Sequence, residues 1–247
     1  GRVDLSRSVS FVPSDDALVA AKFSGRNAIS DLNGHGTNVA SQVSSNRLRL
    51  AGVTSRTTLI GVKVLGATGS GTFGGLLLGV IWAAEHGADV ANMSLGGSFS
   101  RAGNEGFIDY INAVFDYARQ NGTLVVVSAG NEASDLDHNG DTFAGFCDAV
   151  HVICVAAVGP EKAKSNPDAP ASYTNFGRRS IDVAAPGGNA DHPQFKAERG
   201  AGGRDTGRGG GCPRTAAGTW GQSPLPLPAI RVPLLLRKTR ARSENRK

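Results

Sequence analysis

Long apolar runs are what this 247-residue sequence lacks most plainly. A membrane-spanning helix needs roughly 20 uninterrupted apolar residues. "LLLGVIWAA" is too short for that, and "LPLPAIRVPLLL" is broken by prolines. No membrane role is expected. Cysteine is scarce as well: Cys147, Cys154 and Cys212 form no CxxC and no His/Cys cluster with zinc spacing. Cys147 and Cys154 either pair, if the segment between them folds back in an oxidising compartment, or stay as two buried thiols. Their spacing leaves both readings open. The chain opens on Gly1, with no charged-then-apolar leader, so no signal peptide is visible.

Charge of one sign is missing from one part of the chain. Up to about residue 195, acids slightly outnumber bases; beyond it, only Glu198, Asp205 and Glu244 oppose a long series of Arg and Lys. The net charge of +5 therefore belongs to the tail and implies no basic face on the folded part. We divide the chain at that point, into a folded domain over 1–195 and a basic tail over 196–247. The tail is rich in Gly, Arg and Pro, has no sustained period of two or 3.6, and is expected to be disordered. It reads as out-of-frame translation that begins between Gly188 and Gly200. Nucleic-acid binding by its arginines is not expected, because Trp220 is its sole aromatic and no recognition motif accompanies it.

What the first 195 residues do contain is alternation. "TTLIGVKVLG" (57–66) is a β-branched run ended by glycine and reads as a buried strand. "FGGLLLGVIWAAEHG" has helical length and stops at Gly87, and "ADVANMSLGG" reads as a strand opening into a Gly-rich loop. The pattern then repeats. "FIDYINAVFDYARQNG" puts Ile108, Ile111, Val114, Phe115 and Ala118 on one helical face. "TLVVVSAGN", "VHVICVAAVG" and "SIDVAAPGG" follow as strands. Strand and helix in alternation predict an α/β fold, a doubly wound and mainly parallel sheet with helices on both faces. Functional groups in such a sheet collect beyond the carboxyl ends of the strands.

Three stretches carry candidate chemistry. In "DLNGHGTNVAS", His35 stands just before a helical run, where the positive end of the helix dipole favours the neutral ring that a general base requires. Alone, it reads first as a surface or capping histidine in a glycine turn. Asn131, at the end of "VVVSAGN", can donate an amide hydrogen to a developing oxyanion, or can simply serve the turn. Ser94, Leu95 and Gly96 in "NMSLGG" offer a backbone edge to which an extended peptide could add as a strand.

In this order and spacing, "DLNGHGTNVAS", "ANMSLGG", "VVVSAGNE" and "ASYTNFGRRSIDVAAPGG" closely resemble the subtilisin-like serine peptidases, the subtilases, over roughly residues 1 to 188. The resemblance implies that His35 is the catalytic base, with Asn38 where the family usually has a second histidine. It implies that Asn131 is the oxyanion donor, that Ser94, Leu95 and Gly96 form one wall of the specificity pocket, and that Ala129 and Gly130 form the other. It further implies a polypeptide substrate, a monomer and a secreted parent protein. Calcium is frequent in the family, yet no ligand cluster here is clear enough to name, and no cofactor is assigned.

Two parts of the family pattern are absent. The orienting Asp is expected in Asp-Thr-Gly or Asp-Ser-Gly, some distance before the histidine; Asp4 has neither the following Gly nor a preceding apolar strand, and the chain reads as beginning just after that motif. The nucleophile is expected in Gly-Thr-Ser-Met-Ala-x-Pro at a helix start. The nearest imitation, Ser223, is followed by Pro224, Pro226 and Pro228, and each interior proline costs a helix about 3 kcal/mol. The expected function is thus a serine endopeptidase domain, truncated and inactive as this chain. The alternative is a catalytically dead peptide-binding module.

Overall fold

The computed structural model describes residues 2–47, 50–160 and 166–188. Four α-helices occur among them: α1 (Pro13–Lys22), α2 (His35–Ser44), α3 (Phe73–Glu85) and α4 (Glu105–Gln120). The strands are β1 (Val9–Ser10), β2 (Asn46–Arg47), β3 (Leu50–Ala51), β4 (Val62–Lys63), β5 (Val90–Met93), β6 (Ser98–Ser100), β7 (Leu124–Ser128), β8 (Thr142–Ala144), β9 (Val152–Val158) and β10 (Val183–Pro186). The proposed boundary at residue 195, the tail over 196–247 and Ser223 all lie outside the described residues.

A four-stranded parallel sheet in the order β10-β9-β7-β5 forms the centre. Its strands are short apolar runs, as a sheet covered by neighbouring elements requires. Val125, Val127 and Cys154 point to one face, where they meet Leu76, Leu77 and Val80 of α3 and Ile111, Val114, Phe115 and Ala118 of α4. Alternate residues Val126 and Val155, with Ala185, form a smaller apolar cluster on the other face. The few aromatics are concentrated in the larger core: Phe73 meets Phe99, Phe107 and Phe146 edge-on, with ring centroids 5.4–6.0 Å apart.

Helix ends follow the local chemistry. The Thr72 hydroxyl caps α3 by accepting from Gly75 N at 3.1 Å. Past α3 and α4, Gly87 (φ +70°) and Gly122 (φ +83°) take the left-handed conformation that stops a helix.

The first expected strand differs from its reading. Of residues 57–66, only Val62–Lys63 are strand, half-buried and paired in parallel with the two residues of β1; Leu59 adds an isolated bridge to Val3. β4 therefore does not join the central sheet, and the first βαβ unit has its opening strand outside it. At Gly61, next to β4, a Cβ would stand 2.9 Å from Ile29 Cδ1, so the Ile29 side chain packs directly over the backbone there.

Two covalent or ionic ties hold irregular parts to this frame. Cys147 and Cys154 are joined as a disulfide, with Cα atoms 5.1 Å apart, which settles the alternative that their spacing left open. Asp15 and Lys63 form a salt bridge at 2.9 Å with both side chains 8% exposed. Lys63 Nζ also donates to Ser30 O at 3.0 Å, and Asp15 Oδ1 accepts from Ala67 N at 3.2 Å. Together they pin α1, β4 and the segment leading to α2. Replacing Asp15 by Ala leaves the ammonium buried without its counter-charge and is expected to cost about 3–5 kcal/mol, whereas D15L/K63M together recover most of that. Urea unfolding of the three proteins checks both outcomes.

Candidate functional site

His35 is the first residue of α2, and the preceding Gly34 has φ +97°. Any side chain at that position would be strained, so Gly34 is a geometric requirement of the turn. The turn is built by Asp31. Its Oδ1 accepts from Asn33 N at 2.9 Å and Gly34 N at 2.8 Å, and its Oδ2 accepts from Thr37 N at 2.8 Å and Thr37 Oγ1 at 2.7 Å. One carboxylate thus satisfies several of the orphan donors at the start of α2, the task a capping side chain normally performs. Burial pushes the Asp31 pKa up, but these hydrogen bonds outweigh it and hold the group below the ordinary 3.8.

Because Asp31 is spent on the backbone, it does not reach the imidazole. Among the described residues, no carboxylate or hydroxyl hydrogen-bonds to the His35 ring; its backbone N–H donates to Asn33 Oδ1 at 3.3 Å. Asp4 is likewise engaged elsewhere, accepting from Ser6 and from Arg7 Nε at 2.8 Å. Burial depresses the His35 pKa below the ordinary 6.5, and the negative charge of Asp31 opposes this. The neutral ring is favoured at pH 7, mainly by desolvation.

A cleft of about 1850 Å³ brings the candidate residues together: His35, Ser94, Leu95, Gly96, Ala129, Gly130 and Asn131 all line it. The parallel register explains the meeting. Met93 is paired with Val127, so the chain leaves β5 and β7 at the same level, on the carboxyl edge of the sheet. After Met93, no backbone hydrogen bond among the described residues engages the N–H or C=O of Ser94, Leu95 or Gly96. This is an open backbone edge. Behind it, Gly97 O accepts from Gly145 N at 3.0 Å, and the β6–β8 ladder continues the brace.

The opposite wall runs from Ala129 to Asn131. Gly130 has φ +106°, and Asn131 is exposed, with its side-chain amide engaged by no hydrogen bond among the described residues. Two polar residues that sequence reasoning did not single out hold this site: Asp31 beneath the histidine and Asn175 beneath the 129–134 loop. Asp31 had a local signal, an Asx turn two to six residues ahead of its acceptors' partners. Asn175 had none, because its partners on the loop lie 41 to 46 residues away. Among the described residues there is no group of three or more His, Cys, Asp or Glu able to hold a metal ion, and no helix long and apolar enough to cross a membrane.

Two outcomes follow from this geometry. In a histidine-resolved NMR titration, His35 is expected to protonate below 6.5. Since its pKa is lowered on folding, the unfolded chain binds the proton more readily, and stability falls as pH drops through 6.5 until the folded ring also protonates. Unfolding curves of His35→Asn should lack that component. Asp31→Ala is expected to cost roughly 1–2 kcal/mol through the lost cap, with Asp31→Asn costing less because it keeps an acceptor. Denaturant unfolding distinguishes the two.

Comparison with known proteins adds the following. The model of the Subtilase family matches residues 6–220, past the boundary placed at 195. The chain is 37% identical over 164 residues to the subtilisin-like serine protease Pen c 1 of Penicillium citrinum, covering 64% of this chain and 36% of that protein. It is 35% identical over 170 residues to subtilisin DY of Bacillus licheniformis, covering 68% of this chain and 56% of the other. The chain thus spans about a third to somewhat over half of these relatives. A crystal structure of a cold adapted subtilisin-like serine proteinase superposes with a TM-score of 0.51 and 30% identity, over 73% of this chain and 56% of that one.

Proposed function

The chain belongs to the subtilase family, and on that premise we propose that the cleft lined by His35 and Asn131 is the peptide-hydrolysing centre of a serine endopeptidase domain. The observation that carries the reading is the convergence, in one cleft, of a neutral imidazole at a helix start, an unengaged amide and an unpaired backbone edge. An extended polypeptide adds to Ser94–Gly96 as a strand, with its side chain between that edge and Ala129–Gly130. His35 accepts the proton of the attacking hydroxyl and returns it to the leaving amine. The Asn131 amide donates to the oxyanion of the tetrahedral intermediate, a contribution worth about 3 kcal/mol where it has been measured in subtilisin.

The finer part of the proposal concerns this polypeptide. We place the end of the folded domain near residue 195, before a basic tail, and the chain turns over substrate poorly. What supports this is that no carboxylate orients the His35 ring and no hydroxyl donates to it among the described residues. In subtilisin, removing the serine or the histidine alone costs about 10⁶ in turnover. The protein acts as a monomer outside the cell, and the Cys147–Cys154 disulfide supports an oxidising compartment. No nucleic acid or cofactor enters this reading.

The purified chain, incubated with a fluorophosphonate probe and separately titrated with a capped extended tetrapeptide, is expected to bind the peptide without stoichiometric labelling. Stoichiometric labelling of any serine would overturn the inactive reading and leave the peptidase assignment standing. Absence of both labelling and peptide binding would overturn the cleft as a peptide site.

A further inference from the structure

The loop that carries Asn131 has almost no structure of its own: after β7 ends at Ser128, residues 129–134 are neither helix nor strand. Its shape is imposed from another segment. Asn175 is 5% exposed and uses all four hydrogen-bonding positions of its amide on this loop. Oδ1 accepts from Glu132 N and Ser134 N, both at 3.0 Å. Nδ2 donates to Ala129 O at 2.9 Å and to Glu132 Oε2 at 2.7 Å. The backbone N–H of Asn175 adds a bond to Gly130 O at 3.2 Å.

The constraint then passes to Asn131. The same Glu132 Oε2 accepts from Asn131 N at 2.9 Å, so one carboxylate oxygen stands between the buried amide and the residue whose side chain enters the cleft. Gly130 makes room for this. A Cβ there would stand 2.5 Å from both Asn175 Nδ2 and Glu132 Oε2. The clamp is itself anchored, because Thr174 Oγ1 donates to Asn175 O at 3.0 Å and accepts from Ala157 N of β9 at 2.9 Å.

We propose that Asn175 is a positioning residue of the cleft: through Glu132 it sets the backbone that aims Asn131, and directly it holds the Ala129–Gly130 wall. The proposal rests on Asn131 being the oxyanion donor and Ala129–Gly130 a pocket wall. The position requires an amide. A carboxylate of the same shape keeps the two acceptors but loses both donors, and it sets a like charge against Glu132 and an unpaired oxygen against Ala129 O. A hydroxyl cannot reach all four partners.

The test uses the full chain labelled with ¹⁵N. In Asn175→Asp, backbone order parameters over 129–134 are expected to fall from the rigid value of about 0.85 to below about 0.6, while amide shifts of β7 and β9 stay as in the wild type. The Asn131 side-chain NH₂ pair is expected to move towards its position in an unfolded chain. Affinity for a capped extended tetrapeptide should drop about tenfold as the 129–130 wall loosens, the loss of roughly one hydrogen bond. Adding Glu132→Gln to Asn175→Asp removes the like-charge contact and supplies a donor across the 132–175 link, but it turns a donor towards Asn131 N; it should restore part of the order over 129–134 without the affinity, a split that a general folding defect would not give. Asn175→Ser, which adds no charge, gives the same comparison if the aspartate variant fails to fold. Wild-type order over 129–134 in both variants overturns the proposal. A wild-type chain that binds no peptide refutes the peptide site instead, and the order parameters still decide the clamp.

Discussion

The parallel pairing of β5 with β7, in which Met93 lies opposite Val127, is the constraint on which the rest depends. Parallel strands cannot be joined by a tight turn, so the connection runs through α4, and that helix brings the apolar face which buries the sheet. The same register ends both strands at one level. Two irregular segments, 94–97 and 129–134, therefore leave the sheet side by side and face each other across the cleft. A slip of one residue would turn Val125 and Val127 away from α3 and α4 and would separate the two walls at once. Core and cleft are consequences of a single alignment.

Irregular backbone must satisfy its polar groups without the help of a ladder. In this molecule, single side chains do so, each serving several backbone groups. Asp31 serves the turn before α2, Asn175 serves 129–134, and Asp137 accepts from the backbone N–H groups of Arg178, Arg179 and Ser180. Asp31 is the instructive case. By capping the helix it fixes where His35 begins, yet its oxygens are then committed and it can act on the imidazole only through its charge.

Much of the central sheet and its helices was legible in the sequence, because the signals there are local. The apolar face of α4, the glycines at 87 and 122 and the apolar runs at 124–128 and 152–158 each announce one element without reference to any other. The run at 57–66 misleads because apolar content alone does not supply a pairing partner; only two residues of β1 are there to meet it. In the cleft, His35, Asn131 and the 94–96 edge were legible because glycine-rich motifs mark them. Asn175 was not, since an asparagine after Thr in a loop looks the same whether it faces water or spans two segments distant in sequence.

The disulfide has a consequence for the molecule's durability. It closes a short loop over 148–153, which includes exposed Val150 and a left-handed His151 (φ +60°). An exposed loop tip in a strained conformation is a natural place for a chain to be nicked by a peptidase. Here such a cut would not divide the molecule. The bond between Cys147 and Cys154 would keep the brace behind the open edge fastened to β9, and a once-cleaved chain would remain a single covalent body until its surroundings became reducing.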